Sequence, residues 1–263
     1  MSEDAGPLLK FLAALVYVAL LAPVVVVILI SFSADSFIVF PPSGFSLRWY
    51  ERLFAHEALM RGLRLSLMLG VLVTVASLLV GVPAAFVIAR RLTPGATFLK
   101  GFFLAPLLLP TLVMGLALLI AFQPLRLTAS LPGLALGHMV VTVPFVIRFM
   151  VTAFSTLPDD VEAAAASLGA SPWRVVMRVT MPLALPGLLA SSFIAFLLSF
   201  DETVISLFLS GPRASTLPVE MVRYVEGRTD PMVAALSVIL IMGTVGIVLV
   251  VERLAGLMRV VGR

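Results

Sequence analysis

Uncharged apolar runs recur along this chain with a regularity that sets its architecture before any single residue is considered. Phe11 to Phe32, Leu65 to Ala89, Gly101 to Phe122 and Met232 to Val251 each hold about 20 residues or more. At about 1.5 Å per helical residue, each is long enough to cross a hydrocarbon core of about 30 Å. Two further stretches, Gly133 to Phe154 and Gly187 to Ser210, have the same length but carry charges. The pattern predicts an all-α membrane protein of six transmembrane helices, with one domain spanning residues 1–263. The first span exceeds the apolar core of a secretory signal. Although Ser31-Phe32-Ser33 resembles a small-residue cleavage site, the span is expected to be retained as a helix.

Between the spans, the polar segments have their own logic. Asp159-Asp160-Val161-Glu162-Ala163-Ala164-Ala165-Ala166-Ser167-Leu168-Gly169 reads as a short helix, capped by Asp159 or Asp160, carried by alanine and ended by glycine. Ser171 and Pro172 then fill the N-cap and first-turn positions of a second helix. Two short helices around a tight turn make a rigid knob, suited to docking a partner or serving as an ordinary amphipathic hairpin. Toward the other side, Ser46 is placed to cap Leu47-Arg48-Trp49-Tyr50-Glu51-Arg52-Leu53-Phe54. In that helix Leu47, Tyr50, Leu53 and Phe54 share one face, with Trp49 beside it, as expected of an element lying in the membrane interface. Arg90-Arg91 and Thr93-Pro94-Gly95 predict a tight inner turn. Prolines 23, 83, 106, 110 and 144 fall within or near the ends of spans, where each frees a backbone carbonyl. Gly133 and Gly137 are spaced for close helix contact.

Composition agrees with this reading: 61% of residues are hydrophobic, 12% are charged, and the mean hydropathy is +1.15. With no cysteine there is no disulfide framework, thiolate metal site or cysteine nucleophile. A formal net charge of +4 does not point to nucleic acid, because basic residues of membrane proteins gather at the interfaces. Placing the N-terminus inside puts nine basic residues on the inner side and eight on the outer, which leaves orientation undecided.

Asp201 and Glu202 are the charges that most need a reason, since an acid near the centre of a span costs about 3 kcal/mol on insertion scales. A helix entering at Gly187 places Asp201 about 21 Å along it. Two readings stand: an acidic site on a translocation path that attracts a cationic solute, or a structural role, either a polar contact with a neighbouring subunit or a capped helix break. Arg148 lies roughly 10 Å from the inner end of its helix, about 10 Å deeper toward the cytoplasm than Asp201, and is expected to snorkel toward the inner headgroups. His56 and His138 have no partner at metal-ligand spacing, and His138 is expected to be a satisfied polar residue. There is no phosphate-binding G-x-x-x-x-G-K-[ST] motif and no nucleophile–base–acid set, so the chain is not expected to be an enzyme.

The knob also carries a resemblance. Glu162-Ala163-Ala164, Gly169, Ser171-Pro172 and Met181-Pro182 resemble the EAA loop in the membrane subunits of ATP-binding-cassette importers. One departure is plain: the family's usual glutamate precedes the glycine by six residues, a position held here by Ala163, with Glu162 one residue earlier. Further stretches resemble the spermidine/putrescine branch of these permeases: Phe45 to Tyr50, Val143 to Arg148, Ser199 to Glu202, Phe208 to Pro212 and Thr216 to Val219.

The resemblance implies a type I, MetI-like importer fold and a polyamine permease of the inner membrane with both termini cytoplasmic. It implies a coupling loop over about 156–186 that faces an ATPase, which also supplies the orientation. Partners would be a second homologous permease, two ATPase subunits, an extracytoplasmic solute-binding protein and membrane lipid. ATP would be bound by the ATPase, leaving this chain without a cofactor. ATP binding would drive the pair outward-open and hydrolysis would reset it. Another small solute (a metal ion, thiamine or an amino-acid derivative) remains open within this class, with an ion-driven secondary transporter as the alternative outside it.

Overall fold

The computed structural model describes residues 6–212 and 214–261. Its helices are α1 (Pro7–Ser31), α2 (Arg48–Ala55), α3 (Glu57–Ala89), α4 (Ala96–Leu104), α5 (Thr111–Phe122), α6 (Leu131–Ser155), α7 (Asp159–Ser167), α8 (Pro172–Val175), α9 (Met181–Phe200), α10 (Val204–Leu209), α11 (Leu217–Gly227) and α12 (Met232–Val261). Among the described residues the only β pairing is two isolated bridges, Ser33 with Phe45 and Gly211 with Ala214. Five helical stretches are long and apolar enough to span a membrane, and a bent pair makes a sixth.

That bent pair occupies the apolar run from Gly101 to Phe122, and its break falls at the prolines that the sequence places there. Ala96–Leu108 and Thr111–Phe122 meet at 102°. Pro106 sits in a tighter 3₁₀ turn at Ala105–Leu108, and Pro110 opens α5 with an extended ψ of 133°. Proline cannot supply the amide a continuous helix needs, so two of them four residues apart turn the chain. The fifth span differs from expectation. It begins at Pro172, runs through a wider-wound π segment at Val176–Thr180, and stops at Phe200 instead of continuing to Ser210. The second helix of the knob is therefore the start of a span.

Contacts divide the chain into two compact units, one of the described residues within Met1–Met60 and Met221–Val248, the other within Arg61–Glu220 and Leu249–Arg263. In the first unit, α2 buries Trp49 and Leu53, one turn apart, whereas Leu47 and Phe54 are exposed. Leu53 of the expected face thus packs inward beside Trp49 while Leu47 and Phe54 stay outward, and Arg48 and Arg52 cover the Trp49 ring at 4.8 and 4.9 Å. The Tyr50 hydroxyl shares a 2.8 Å hydrogen bond with Ser31 at the end of α1. Asp35 organises the loop between α1 and α2, accepting from the Ser33 hydroxyl at 2.9 Å, the Ser43 amide at 3.0 Å and the Ser43 hydroxyl. These donors, with Arg48 nearby, hold its carboxyl below the usual range. His56 receives the Leu59 amide at 3.4 Å at the entry to α3. Tyr224 donates to Asp230 at 2.7 Å, and burial with that bond pushes its pKa up to about 12.

In the second unit α6 is central, packing along α9 and against α10 and α4. One apolar cluster joins Ala85 and Ile88 of α3, Val146, Ile147, Met150 and Phe154 of α6, and Ala184 and Ala195 of α9. Small residues let these backbones approach: a Cβ on Gly81 would meet Val146 at 2.7 Å, and one on Gly187 would collide with Ala153. A second cluster joins Leu69 and Val73 of α3, Met114 and Leu118 of α5, Leu134 of α6, and Ile205 and Leu209 of α10. A Cβ on Gly137 would meet Leu209 at 2.5 Å and Ile205 at 3.1 Å, which accounts for glycine where α10 crosses α6. A Cβ on Gly133 would overlap the carbonyl of Leu127, so this glycine serves the turn into α6.

Candidate functional site

The polar knob begins at Pro158, which takes the N-cap position of α7 with an extended ψ of 129°. Proline thus holds the N-cap position that Asp159 or Asp160 was expected to fill, with Asp159 and Asp160 inside the first turn; the Asp159 side chain lies outside the described residues. The end follows the sequence closely. Gly169 adopts φ +86°, its amide bonds Ala166 at 2.9 Å, and the Ala170 amide bonds Ala165 at 3.2 Å. This reciprocal pair satisfies the last carbonyls of α7 and needs a left-handed residue at that position. Ser171 occupies the N-cap position of α8 with extended backbone, though its hydroxyl makes no capping bond, and Pro172 follows in the first turn.

Glu162 points inward from α7. One carboxylate oxygen, Oε1, accepts from Arg90 Nη2 at 2.6 Å and from the Thr180 hydroxyl at 2.8 Å. Three segments meet at that atom: the turn after α3, the knob helix, and the π segment leading into α9. The Arg90 side chain is 12% exposed and that of Glu162 is 23%, so the pair is largely shielded from water. Glu162 thus ties these three segments together through one carboxylate oxygen. Pattern reading placed Arg90 in a turn and did not single out Thr180; their convergence on one oxygen depended on tertiary packing. Ala163, Ala164 and Pro182 complete the segment, Pro182 lying in the first turn of α9.

The outer surface of the knob is apolar. Leu168 is 89% exposed and Trp173 70%, with Val161 and Met177 also exposed. Exposed apolar side chains of this size suit contact with a protein or with lipid.

The second candidate site lies at the other end of α9. Asp201 follows its last residue, about 30 Å along the helix from Met181, further than the expected 21 Å because the helix starts earlier. Asp201-Glu202-Thr203 interrupt the chain before α10. Glu202 Oε1 accepts the Ile205 amide at 3.0 Å and so caps α10. Asp201 is exposed. Glu202 thus makes the capped break of the structural reading, while Asp201 is left at the surface. His138, wholly buried, clamps the break: Nδ1 lies 3.0 Å from the Ser199 hydroxyl of α9 and Nε2 3.0 Å from the Ser206 hydroxyl of α10. A satisfied polar role for His138 was legible from its isolation; its two serine partners were not. Among the described residues no cluster of three or more His, Cys, Asp or Glu forms a metal site.

Known proteins place this architecture. The fold is that of importer transmembrane domains. A crystal structure of a bacterial ABC transporter involved in importing the acidic polysaccharide alginate matches with a TM-score of 0.70 at 16% identity, covering 93% of each chain. An inward-facing form of the MetNI methionine ABC transporter matches with a TM-score of 0.61 at 18% identity, covering 76% of this chain and 95% of that one.

Sequence then gives the family. Residues 77–259 match the binding-protein-dependent transport system inner membrane component, and the chain belongs to that family. The putrescine transport system permease protein PotI of Escherichia coli (strain K12) is 33% identical over 87% of this chain and 83% of its own. The spermidine/putrescine transport system permease protein PotC of the same strain is 30% identical over 91% and 90%. The putative 2-aminoethylphosphonate transport system permease protein PhnV of Salmonella typhimurium is also 30% identical, over 81% of each. The chain is thus a multi-pass inner membrane permease subunit of an ABC importer, which works with an ATPase and a solute-binding protein.

Proposed function

We propose that this permease conducts polyamines, putrescine or spermidine, inward. The observation carrying this reading is the kinship with PotI at 33% identity over 87% of the chain. The chemistry of Asp201 agrees with it: an exposed carboxylate at the end of a long apolar helix attracts an organic polycation. In this reading Asp201 meets the solute as it enters, and Glu202 keeps the entry site in shape by capping α10. The whole chain serves as one permease domain, with both termini cytoplasmic. It pairs with a second, homologous permease, and each member docks one of two ATPase subunits.

The knob is the coupling element. Ala163, Ala164, Gly169, Ser171 and Pro172 set its shape, and Leu168 and Trp173 present the apolar contact to the ATPase. Glu162 and Pro182 tie it to the spans. Closure of the ATPases moves α7, and the shared bonds of Glu162 carry that movement to the end of α3 and the start of α9. The chain supplies no catalytic residue; hydrolysis belongs to the ATPase.

The test is stimulation of ATP hydrolysis in proteoliposomes containing the assembled importer, by its binding protein loaded with putrescine or spermidine. Wild-type complex is expected to respond, while Asp201→Asn lowers uptake per assembled complex several-fold. Equal uptake by Asp201→Asn removes Asp201 from the path. A response to 2-aminoethylphosphonate alone replaces polyamines by the second reading, which the PhnV match favours.

A further inference from the structure

A small cavity in the second unit lies apart from both the knob and the Asp201 break. It encloses about 300 Å³ and is lined by Lys100 and Leu104 of α4 with Ile147, Arg148, Val151 and Thr152 of α6. Its polar chemistry is one-sided. Lys100 and Arg148 bring cationic donors, and no acidic residue lines the space. The Thr152 hydroxyl already donates to the Arg148 carbonyl at 3.1 Å, so its proton is spent within α6. Neither cation forms an ion pair with a described residue. The remaining wall, Leu104, Ile147 and Val151, is aliphatic.

The two cations stand at similar depth. The Phe154 and Phe86 rings touch at 5.5 Å, so α6 ends on the same side as α3, and the short turn to Ala96 starts α4 there too. Lys100 lies four residues, about 6 Å, from the start of α4, and Arg148 seven residues, about 10 Å, from the end of α6. Long basic side chains at such positions extend toward the nearer headgroup layer.

We infer that this cavity is an inner-leaflet site for an anionic phospholipid. Lys100 and Arg148 hold its phosphodiester from two helices, and Leu104, Ile147 and Val151 line the first part of an acyl chain. Phosphate recognition needs clustered donors without competing carboxylates, and the aliphatic wall distinguishes a lipid from a free anion. The bound lipid neutralises two charges that no described residue pairs with and joins α4 to α6. The inference rests on the membrane placement of the chain and not on which solute it carries.

The test uses the intact importer in liposomes containing either phosphatidylglycerol or phosphatidylcholine with a photoreactive diazirine near the headgroup, followed by peptide mapping. The glycerol lipid is expected to label residues 99–104 and 147–152 about tenfold more than the choline lipid, given two basic contacts. Labelling should fall to the choline level in Lys100→Gln/Arg148→Gln and persist in the charge-conserving Lys100→Arg/Arg148→Lys. Equal labelling of the wild-type complex by the two lipids overturns the inference without any variant having to fold. Undiminished labelling in the assembled glutamine variant overturns it as well. Displacement of the label by millimolar inorganic phosphate or 2-aminoethylphosphonate also overturns it, assigning the cavity to a free anion.

Discussion

Replacing Glu162 by glutamine keeps the side chain's shape and removes its charge, which isolates the part of the knob that electrostatics holds. In the native arrangement one oxygen receives Arg90 at 2.6 Å and Thr180 at 2.8 Å. A hydrogen bond to a charged group contributes about 1.5–3 kcal/mol, and exposed ion pairs contribute about 0–1 kcal/mol. With the two side chains 12% and 23% exposed, this pair falls between those limits, at about 1–2 kcal/mol. A loss near 1.4 kcal/mol weakens docking of α7 on α3 and the π segment about tenfold. The assay measures solute imported per ATP hydrolysed by the reconstituted complex, alongside its melting temperature. Glu162→Gln is expected to lower that ratio several-fold while ATP hydrolysis persists, because the ATPase keeps its own machinery. Arg90→Gln should act in the same direction. The double variant should cost less than the sum of the two, with a coupling energy of about 1 kcal/mol. Additive effects, or an unchanged import ratio in Glu162→Gln, would refute the claim that this bond transmits movement.

Other positions give sharper structural expectations. Gly169→Ala meets no atom within 4 Å, so its cost is the left-handed backbone alone, about 1 kcal/mol, seen as lower melting and weaker ATPase assembly. Gly137→Val drives side-chain carbon into Leu209 and Ile205 and should destabilise the complex by about 1–3 kcal/mol in thermal melting. His138→Ala strands the Ser199 and Ser206 hydroxyls, costing about 1–3 kcal/mol for each one left unsatisfied; His138→Asn should recover part of the loss by keeping one bond. The folded-state pKa of Asp35 lies below its unfolded value, so its contribution to the loop is present above about pH 4 and fades as pH falls through the lowered value. Asp35→Asn should remove that dependence, checked by hydrogen exchange of residues 33–45 across pH.

What pattern reading recovered was whatever a local rule governs. Span count follows from apolar run length, and the end of α7 follows from a glycine whose positive φ is nearly a covalent requirement. Local rules faltered where two of them competed. Pro106 and Pro110 sit in an apolar run that length alone reads as one helix, and their missing amides outweighed it. On α2, periodicity grouped Leu47, Tyr50, Leu53 and Phe54 with Trp49 beside them, but which of these pack inward (Trp49 and Leu53) and which stay outward (Leu47 and Phe54) was set by tertiary packing. The site was half visible. Asp201-Glu202 stood out by the cost of their charge, and a capped break was one of the two readings, but assigning the cap to Glu202 alone required the Ile205 amide in space. Glu162 stood out by resemblance, while Arg90 and Thr180 joined it across 72 and 18 residues of chain that no local spacing connects.

The most direct measurement of the central claim is uptake of labelled putrescine and spermidine in cells lacking this gene and in the same cells with it restored. The account predicts ATP-dependent uptake that returns with the wild-type gene and falls several-fold when the restored copy carries Asp201→Asn. Uptake that is the same with and without the protein, while the complex is present and assembled with its ATPase, would contradict it.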